Sequence, residues 1–194
     1  MNPITRETKA FKWMMISQSM MTLGAGLVFP FYLIFIKEIG GDFTQYGIAY
    51  GLFTLCSAYA NWWIGKTSDR YGRKAFLLLG AWGTALLFLL FPIATSIWQV
   101  YVLQMVMGVF GAIQKTCEKA MIADITEEGK RGEQIGRYHV GISIFSGLAV
   151  MIGGFLIDFF TLDIMFYLGS MILFISGLML LRFNESKSNQ TNVL

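Results

Sequence analysis

Long apolar stretches alternate with short polar breaks along nearly the whole chain. A helix needs about 20 apolar residues to cross the hydrocarbon core of a bilayer. Six stretches reach that length, at residues 13–36, 44–64, 75–95, 98–121, 135–159 and 164–183. Helices are the expected spanning form because lipid cannot hydrogen-bond to open backbone groups. The pattern therefore predicts an all-α membrane protein with six transmembrane helices.

The breaks between these stretches are too short to hold a soluble domain. This predicts three segments: a polar, basic N-terminal segment at residues 1–12, a transmembrane domain at residues 13–183, and a polar tail at residues 184–194. The first apolar stretch runs on for about a full bilayer span without a small-residue cleavage site, so a retained first helix is expected rather than a signal peptide.

Positive charge gathers on one side of the predicted bundle. If the six spans alternate in direction, one side holds twelve of the fifteen Lys and Arg residues and the other side holds only Lys37. The remaining two, Lys115 and Lys119, lie inside the fourth span. Cytoplasmic loops of membrane proteins carry the excess of Lys and Arg. The expected location is therefore the plasma (inner) membrane, with both termini in the cytoplasm.

Composition agrees with a lipid-facing exterior and narrows the functional classes. Hydrophobic residues make up 55% of the 194 residues and charged residues 14%, whereas soluble domains carry about a quarter charged residues. The cations are scattered over separate segments, so nucleic acid is not an expected partner. Cys56, Cys117 and the single histidine, His139, lie apart from one another. No metal site, cofactor or enzymatic activity is therefore expected.

The break between the second and third spans carries a specific motif, Gly-Lys-Thr-Ser-Asp-Arg-Tyr-Gly-Arg-Lys at residues 65–74. A plain basic loop would account for its four cations, but not for Asp69, the two glycines or their spacing. The pattern G-x-x-x-D-R-x-G-R-K resembles the signature loop of the major facilitator superfamily, which lies on the cytoplasmic side between helices two and three. The resemblance implies half of a secondary transporter that moves a small-molecule substrate through the lipid membrane.

The resemblance also implies a gate at this loop. In the family, the matching aspartate caps a helix of the opposite half, and the matching arginine pairs with an acid that ends helix four. Here that acid corresponds to Asp124. We also expect Gly65 and Gly72 to permit a tight turn between the two helices. The gating set is then Gly65, Asp69, Arg70, Gly72, Arg73, Lys74 and Asp124.

Two regions of the chain, one in the fourth span and one in the fifth, depart from the pattern of proton-coupled family members. Gln104 lies in the fourth span where many of them have arginine. In the fifth span, Gly153 and Gly154 follow Ala149 and Val150, where the antiporter motif has Gly-Pro. Thr67 and Ser68 are milder departures within the first loop.

The substrate would lie against the first and fourth helices, which line the central cavity in the family. Residues 3, 4, 7 and 11 apart share a helix face, and charged groups within a span usually face a cavity or a partner. The predicted substrate-facing set is Gln18, Thr22, Gln104, Lys115 and Glu118. The candidates for proton coupling are Glu118 and His139. Alternatively, Lys115, Glu118 and Lys119 pair with one another near water, and His139 is an interfacial hydrogen-bonding residue.

Family members usually contain two six-helix halves, so this chain needs a second bundle. Two hypotheses stay open: a parallel homodimer, in which small residues of the second and fifth helices meet between copies, or one half whose complementary half belongs to the same larger transporter. A different functional class is also open, in which the chain is a non-transporting membrane subunit or folding partner with the same architecture.

Overall fold

The computed structural model describes residues 3–126 and 129–182, with side chains described from Ala10 onward. Every regular element in the described residues is helical, which confirms the all-α class. The predicted tail at residues 184–194 and the end of the sixth span at residue 183 lie outside the described residues. The helices are α1 (Pro3–Gly26), α2 (Tyr32–Glu38), α3 (Phe43–Tyr71), α4 (Arg73–Leu90), α5 (Ile97–Ile125), α6 (Arg131–Phe159) and α7 (Leu162–Leu181), with 3₁₀ turns at Phe29–Phe31 and Phe91–Ile93.

Within the described residues, five stretches are long and apolar enough to cross a membrane: Ala10–Glu38, Arg73–Ile93, Ile97–Ile125, Arg131–Phe159 and Leu162–Leu181. They correspond to the first, third, fourth, fifth and sixth predicted spans. The second predicted span lies in α3, whose tyrosines, glycines and hydroxyl residues make it less apolar. With 29 residues at 1.5 Å per residue, α3 is about 43 Å long, which exceeds the thickness of the hydrocarbon core.

The first span is two helices rather than one. Pro30 lies in the 3₁₀ turn between α1 and α2, and proline has no backbone N–H for the helical ladder. Around Pro30 the backbone hydrogen bonds join residues three apart instead of four. Val28 N donates to Ala25 O at 3.1 Å, and Phe31 N donates to Val28 O at 3.0 Å. The predicted span at residues 13–36 therefore lies within the apolar stretch Ala10–Glu38, with a break in its helix at Pro30.

The connection between α3 and α4 is shorter than the sequence suggested. The second span was predicted to end at residue 64, but α3 continues to Tyr71 and only Gly72 separates it from α4. Gly72 has a φ of 97°, a conformation that glycine adopts without steric cost. Gly65 lies inside α3, so the expectation that it shapes the turn was wrong.

The helices pack in the series α3, α5, α4, α7, α1 and α6, each mainly against its neighbours in that order. The two end helices, α3 and α6, are not among the pairs that pack closely on each other. In α6 only 11% of the apolar window is buried, against 39–44% in the other four apolar stretches. A helix so little covered by its own chain leaves most of its surface for lipid or for another protein.

Candidate functional site

A cluster of three charged side chains joins α3, α4 and α5 at one end of the bundle. Arg73 Nη2 donates to Asp69 Oδ1 at 2.8 Å, and Arg73 Nε donates to the same oxygen at 3.2 Å. Arg73 Nη1 donates to Asp124 Oδ2 and to the carbonyl of Ala120, the latter at 2.7 Å. We call Asp69, Arg73 and Asp124 the Arg73 cluster. The structure thus brings together the three residues on which the predicted gate depends.

Local geometry explains why these residues meet. Asp69 lies in the last turn of α3, and Arg73 is the first residue of α4, directly after Gly72. Asp124 lies in the last turn of α5, which packs against both α3 and α4. Arg73 is 21% exposed, whereas Asp69 and Asp124 are 60% and 51% exposed. The guanidinium is therefore held between helices while water reaches both carboxylates.

The other residues of the predicted gating set lie outside the cluster. Arg70 is exposed and lies over the ring of Tyr71, 5.7 Å from its centroid. Lys74 Nζ donates to the carbonyl of Leu181 at 2.9 Å and so ties α4 to the end of α7. The helix dipole favours a cation at the C-terminal end of a helix, which is where Lys74 meets α7.

Glu118 has a partner that the sequence interpretation missed. The hydroxyl of Tyr138, on α6, donates to Glu118 Oε1 at 2.6 Å. Lys115 and Lys119 are exposed, and Glu118 forms no ion pair with either of them among the described residues. His139 is exposed and lies beside the ring of Tyr138, with 5.7 Å between centroids.

Gln104 lies deep in the bundle, towards the N-terminal end of α5 and away from the end that carries Glu118 and Asp124. It is 3% exposed and adjoins Tyr32, the first residue of α2. Neither the Tyr32 hydroxyl nor Gln104 Oε1 has a well-formed hydrogen bond among the described atoms. Buried polar atoms are usually paired, and an unpaired one costs about 1–3 kcal/mol. This pair is therefore a place where a polar group of a solute, or water, would be stabilised.

The predicted residues of the first span occupy the interior of the bundle. Gln18 is 3% exposed, and Thr22 is partly buried. Their neighbour Met21 accepts a hydrogen bond from Gln114 Nε2 at 3.3 Å. Gln114 is itself buried, and its Oε1 has no partner among the described atoms. Helical spacing places Gln114 four residues before Glu118, which was the signal that could have identified it.

A groove of about 470 Å³ lies elsewhere, between α4 and α7. Its lining is mostly apolar, and none of the predicted substrate-facing residues contributes to it; the lining includes Trp82, Leu86, Leu89, Tyr167, Met171 and Phe174. Its composition suits acyl chains, and two of its polar groups are already bonded within the chain: Ser170 Oγ donates to the carbonyl of Ala85 at 2.8 Å and Trp82 Nε1 donates to the carbonyl of Phe174 at 3.3 Å. Within the described residues, no cluster of His, Cys, Asp and Glu is arranged to hold a metal ion.

Comparisons with known proteins agree with this architecture. The family model described as "Major Facilitator Superfamily" matches residues 14–193. The chain is 46% identical over 162 residues to the "Uncharacterized MFS-type transporter YitZ" of Bacillus subtilis, and the match covers 84% of this chain and 99% of that protein.

Longer relatives match over part of their length. The "Multidrug resistance protein MdtG" of Proteus mirabilis is 33% identical over 165 residues, which cover 82% of this chain and 41% of that protein. The "Tetracycline resistance protein, class H" of Pasteurella multocida is 30% identical over 139 residues, which cover 70% of this chain and 34% of that protein. The chain thus spans about two fifths or less of these two relatives and nearly all of the first.

Proposed function

Because the chain belongs to the major facilitator superfamily, we propose that it is a six-helix unit of a secondary transporter that moves a small solute by alternating access. Its place among transporters and its apolar helices make it an integral membrane protein and not an enzyme. The proposed location is the inner membrane of a bacterium, with the Arg73 cluster on the cytoplasmic side. The excess of Lys and Arg at that end of the bundle supports this orientation.

The observation that carries the proposal is the Arg73 cluster itself. One guanidinium bridges carboxylates on α3 and α5 while also reaching a carbonyl of α5. Both carboxylates are half-exposed, so the bonds can break and re-form without leaving a charge in lipid. Such a cluster stabilises one arrangement of the helix ends against another, which is what a gate in a transport cycle requires.

The proposed transport pathway runs along the face of α5 that carries Gln104, Lys115 and Glu118. On α1, Gln18 and Thr22 complete the proposed lining. The unpaired polar atoms of Gln104 and Gln114 support this assignment, since a solute with hydrogen-bonding groups would satisfy them. The names of the two longer relatives support testing drug-like compounds, tetracycline among them, as solutes.

We further propose that a second six-helix bundle completes the pathway, either a second copy in a parallel homodimer or a complementary half. The sparse burial of α6 supports this. On α3, a Cβ added at Gly47 or Gly51 would meet nothing within 4 Å, and the same holds for Gly147 on α6. Small residues of this kind allow close approach between membrane helices.

Two other glycines of α6 are already used within the chain. A Cβ at Gly153 would lie 3.1 Å from the carbonyl of Leu27, and one at Gly141 would lie 3.3 Å from Met15 Sδ. Gly141 therefore packs against α1 and Gly153 against the turn that follows α1. The expectation that small residues of the fifth predicted helix face a partner was wrong at these two positions. Of the α6 glycines considered above, Gly147 has the most open surroundings.

Transport in proteoliposomes tests the proposed function. The purified protein is reconstituted, and accumulation of each solute in a broad panel is measured with and without an imposed pH gradient. Asp69→Asn should slow transport several-fold, because the neutral amide accepts more weakly from Arg73. Asp158→Asn is the matched control, since Asp158 is an exposed aspartate at the other end of the bundle. Equal rates in the two variants would contradict the gate, and a failure to transport any solute would favour a non-transporting subunit.

Cysteine crosslinking tests the second bundle. Thr54, on α3, lies 17 residues before Tyr71, and Gly147, on α6, lies 16 residues after Arg131, so the two positions have similar depths in the membrane. Thr54→Cys and Gly147→Cys, each in a background without native cysteines, are mixed in one membrane. A disulfide between chains supports the homodimer. A lone monomer in the solubilised preparation would contradict it and favour a complementary half.

A further inference from the structure

Tyr138 combines complete burial with a short hydrogen bond to an acidic side chain. It is 1% exposed, and its hydroxyl lies 2.6 Å from Glu118 Oε1. Its ring packs edge-on against Phe11 of α1, with 6.4 Å between centroids. The hydroxyl is therefore aimed at Glu118 by packing on its own ring.

The bond connects two helices that otherwise contact each other little. α6 packs mainly against α1, and α5 packs mainly against α3 and α4. α5 and α6 are not among the pairs with substantial backbone contact. The Tyr138–Glu118 bond is therefore a direct tie between them, and its strength affects how readily they separate.

The charged and titratable groups around Glu118 come from two helices. α6 contributes Tyr138 and His139, and α5 contributes Lys119 one residue away, with Lys115 three residues earlier. The part of α1 that packs against Tyr138 is apolar and includes Met14 and Phe11. The charged residue nearest to them in sequence is the exposed Lys12.

We propose that Tyr138 is a positioning residue that holds the carboxylate of Glu118 and makes the tie between α5 and α6 sensitive to proton binding. The inference rests on the proposed function, in which Glu118 is a coupling carboxylate. With Glu118 ionised, the phenol donates to a charged acceptor. When a proton from water binds the carboxylate, the bond joins two neutral groups and is roughly half as strong. Proton uptake thus loosens α5 from α6, and no other bond has to change.

The test measures protonation of Glu118 directly. Dicyclohexylcarbodiimide adds to a protonated carboxylic acid in an apolar setting, and peptide mass spectrometry locates the adduct. Labelling of Glu118 is followed against pH in the wild type and in Tyr138→Phe, which keeps the ring and removes the hydroxyl. Without its donor the ionised carboxylate loses more stabilisation than the protonated acid does, so labelling should persist to a pH about 0.5–1 unit higher. This is the difference between a hydrogen bond to a charged group and one between neutral groups.

Three variants keep the result interpretable. Glu118→Gln identifies the peptide whose adduct must disappear. Tyr101→Phe removes the hydroxyl of another buried tyrosine. Tyr101 lies 17 residues before Glu118 on α5, about 25 Å along the helix, so this variant should leave the labelling profile unchanged. Glu118→Asp draws the carboxylate back by one methylene and should shift the profile in the same direction as Tyr138→Phe, by about 0.4 units less because aspartate is the stronger acid. It replaces that variant if Tyr138→Phe does not fold.

The outcomes separate this inference from the proposed function, because labelling needs no transport. A shift in Tyr138→Phe or Glu118→Asp, with none in Tyr101→Phe, supports the role of Tyr138 even if no solute is transported. An unchanged profile, or a Glu118 that is never labelled at any pH in the wild type, overturns it even if transport is found.

Discussion

Arg73→Lys tests whether the geometry of the Arg73 cluster matters, because it keeps the charge and changes only the shape of the donor. The guanidinium reaches Asp69, Asp124 and the carbonyl of Ala120 at once. A lysine ammonium is a compact point charge on a flexible stem and cannot span acceptors on two helices in this way. The variant should therefore lose the bridge between α3 and α5.

The exposure of the partners sets the size of this effect. Asp69 and Asp124 are 60% and 51% exposed, and exposed ion pairs are worth about 0.2–1 kcal/mol each. The hydrogen bond to the Ala120 carbonyl adds an amount of similar order. Arg73→Lys should then favour separation of the helix ends by about 1–2 kcal/mol, which raises the open population by a factor of about 5–30.

A native thiol reports this opening. Cys117 is fully buried at 0% exposure and lies beside Ser68, close to the charges of Arg73 and Asp69. Cys56→Ala leaves Cys117 as the only cysteine in the chain. A maleimide can then react only when the helix ends separate, so its rate follows the open population. Arg73→Lys should raise the labelling rate of Cys117 by about 5–30-fold.

Arg70→Lys is the matched control, because Arg70 belongs to the same sequence motif, three residues before Arg73, but lies exposed over Tyr71. It should leave the labelling rate of Cys117 close to that of the parent. If both variants accelerate labelling equally, or if Arg73→Lys leaves the rate unchanged, the bridge does not hold the helix ends together and the gate is refuted.

Two further substitutions test the helix packing. Gly108→Ala should lower the free energy of unfolding in detergent by about 1–3 kcal/mol, because its Cβ would clash with the backbone carbonyl oxygen of Phe53 and lie 3.1 Å from the backbone nitrogen of Ser57. Gly136→Ala, on α6 and with nothing within 4 Å, should be neutral or stabilising, and equal loss in both would contradict this packing. Ser176→Ala removes the 2.8 Å hydrogen bond from Ser176 Oγ to the carbonyl of Ser17. It should lower the free energy of unfolding by about 0.6–1.7 kcal/mol in the same measurement. An unchanged free energy of unfolding would argue against a tight contact between α1 and α7.

The helical type of the spans and their approximate positions could be predicted because the length of an apolar stretch is a local property of the chain. The ends of the helices were harder to predict. Lys66, Asp69 and Arg70 belong to α3 although they interrupt the apolar pattern, because a helix leaving the membrane can carry charged residues in its last turns. The break in the first span did leave a signal, since Pro30 lies inside an otherwise apolar stretch.

The candidate site was predictable where residues are near in sequence or matched by resemblance. Asp69 and Arg73 are four residues apart, and Asp124 followed from the family pattern. The partner of Glu118 was not predictable from helical spacing, which offered Lys115 and Lys119 instead. Tyr138 is 20 residues away on another helix, and only packing of α6 against α1 aims its hydroxyl at α5.

Sidedness of the bundle is the claim on which the transporter account depends, and cysteine labelling in intact cells tests it most directly. Phe43→Cys and Gly132→Cys, each in a background without Cys56 and Cys117, place exposed thiols next to Asp42 and Arg131 at opposite ends of the bundle. A membrane-impermeant maleimide should label only the Phe43→Cys protein from outside. Labelling of both positions alike, or of Gly132→Cys alone, would contradict a bundle with the Arg73 cluster on the cytoplasmic side.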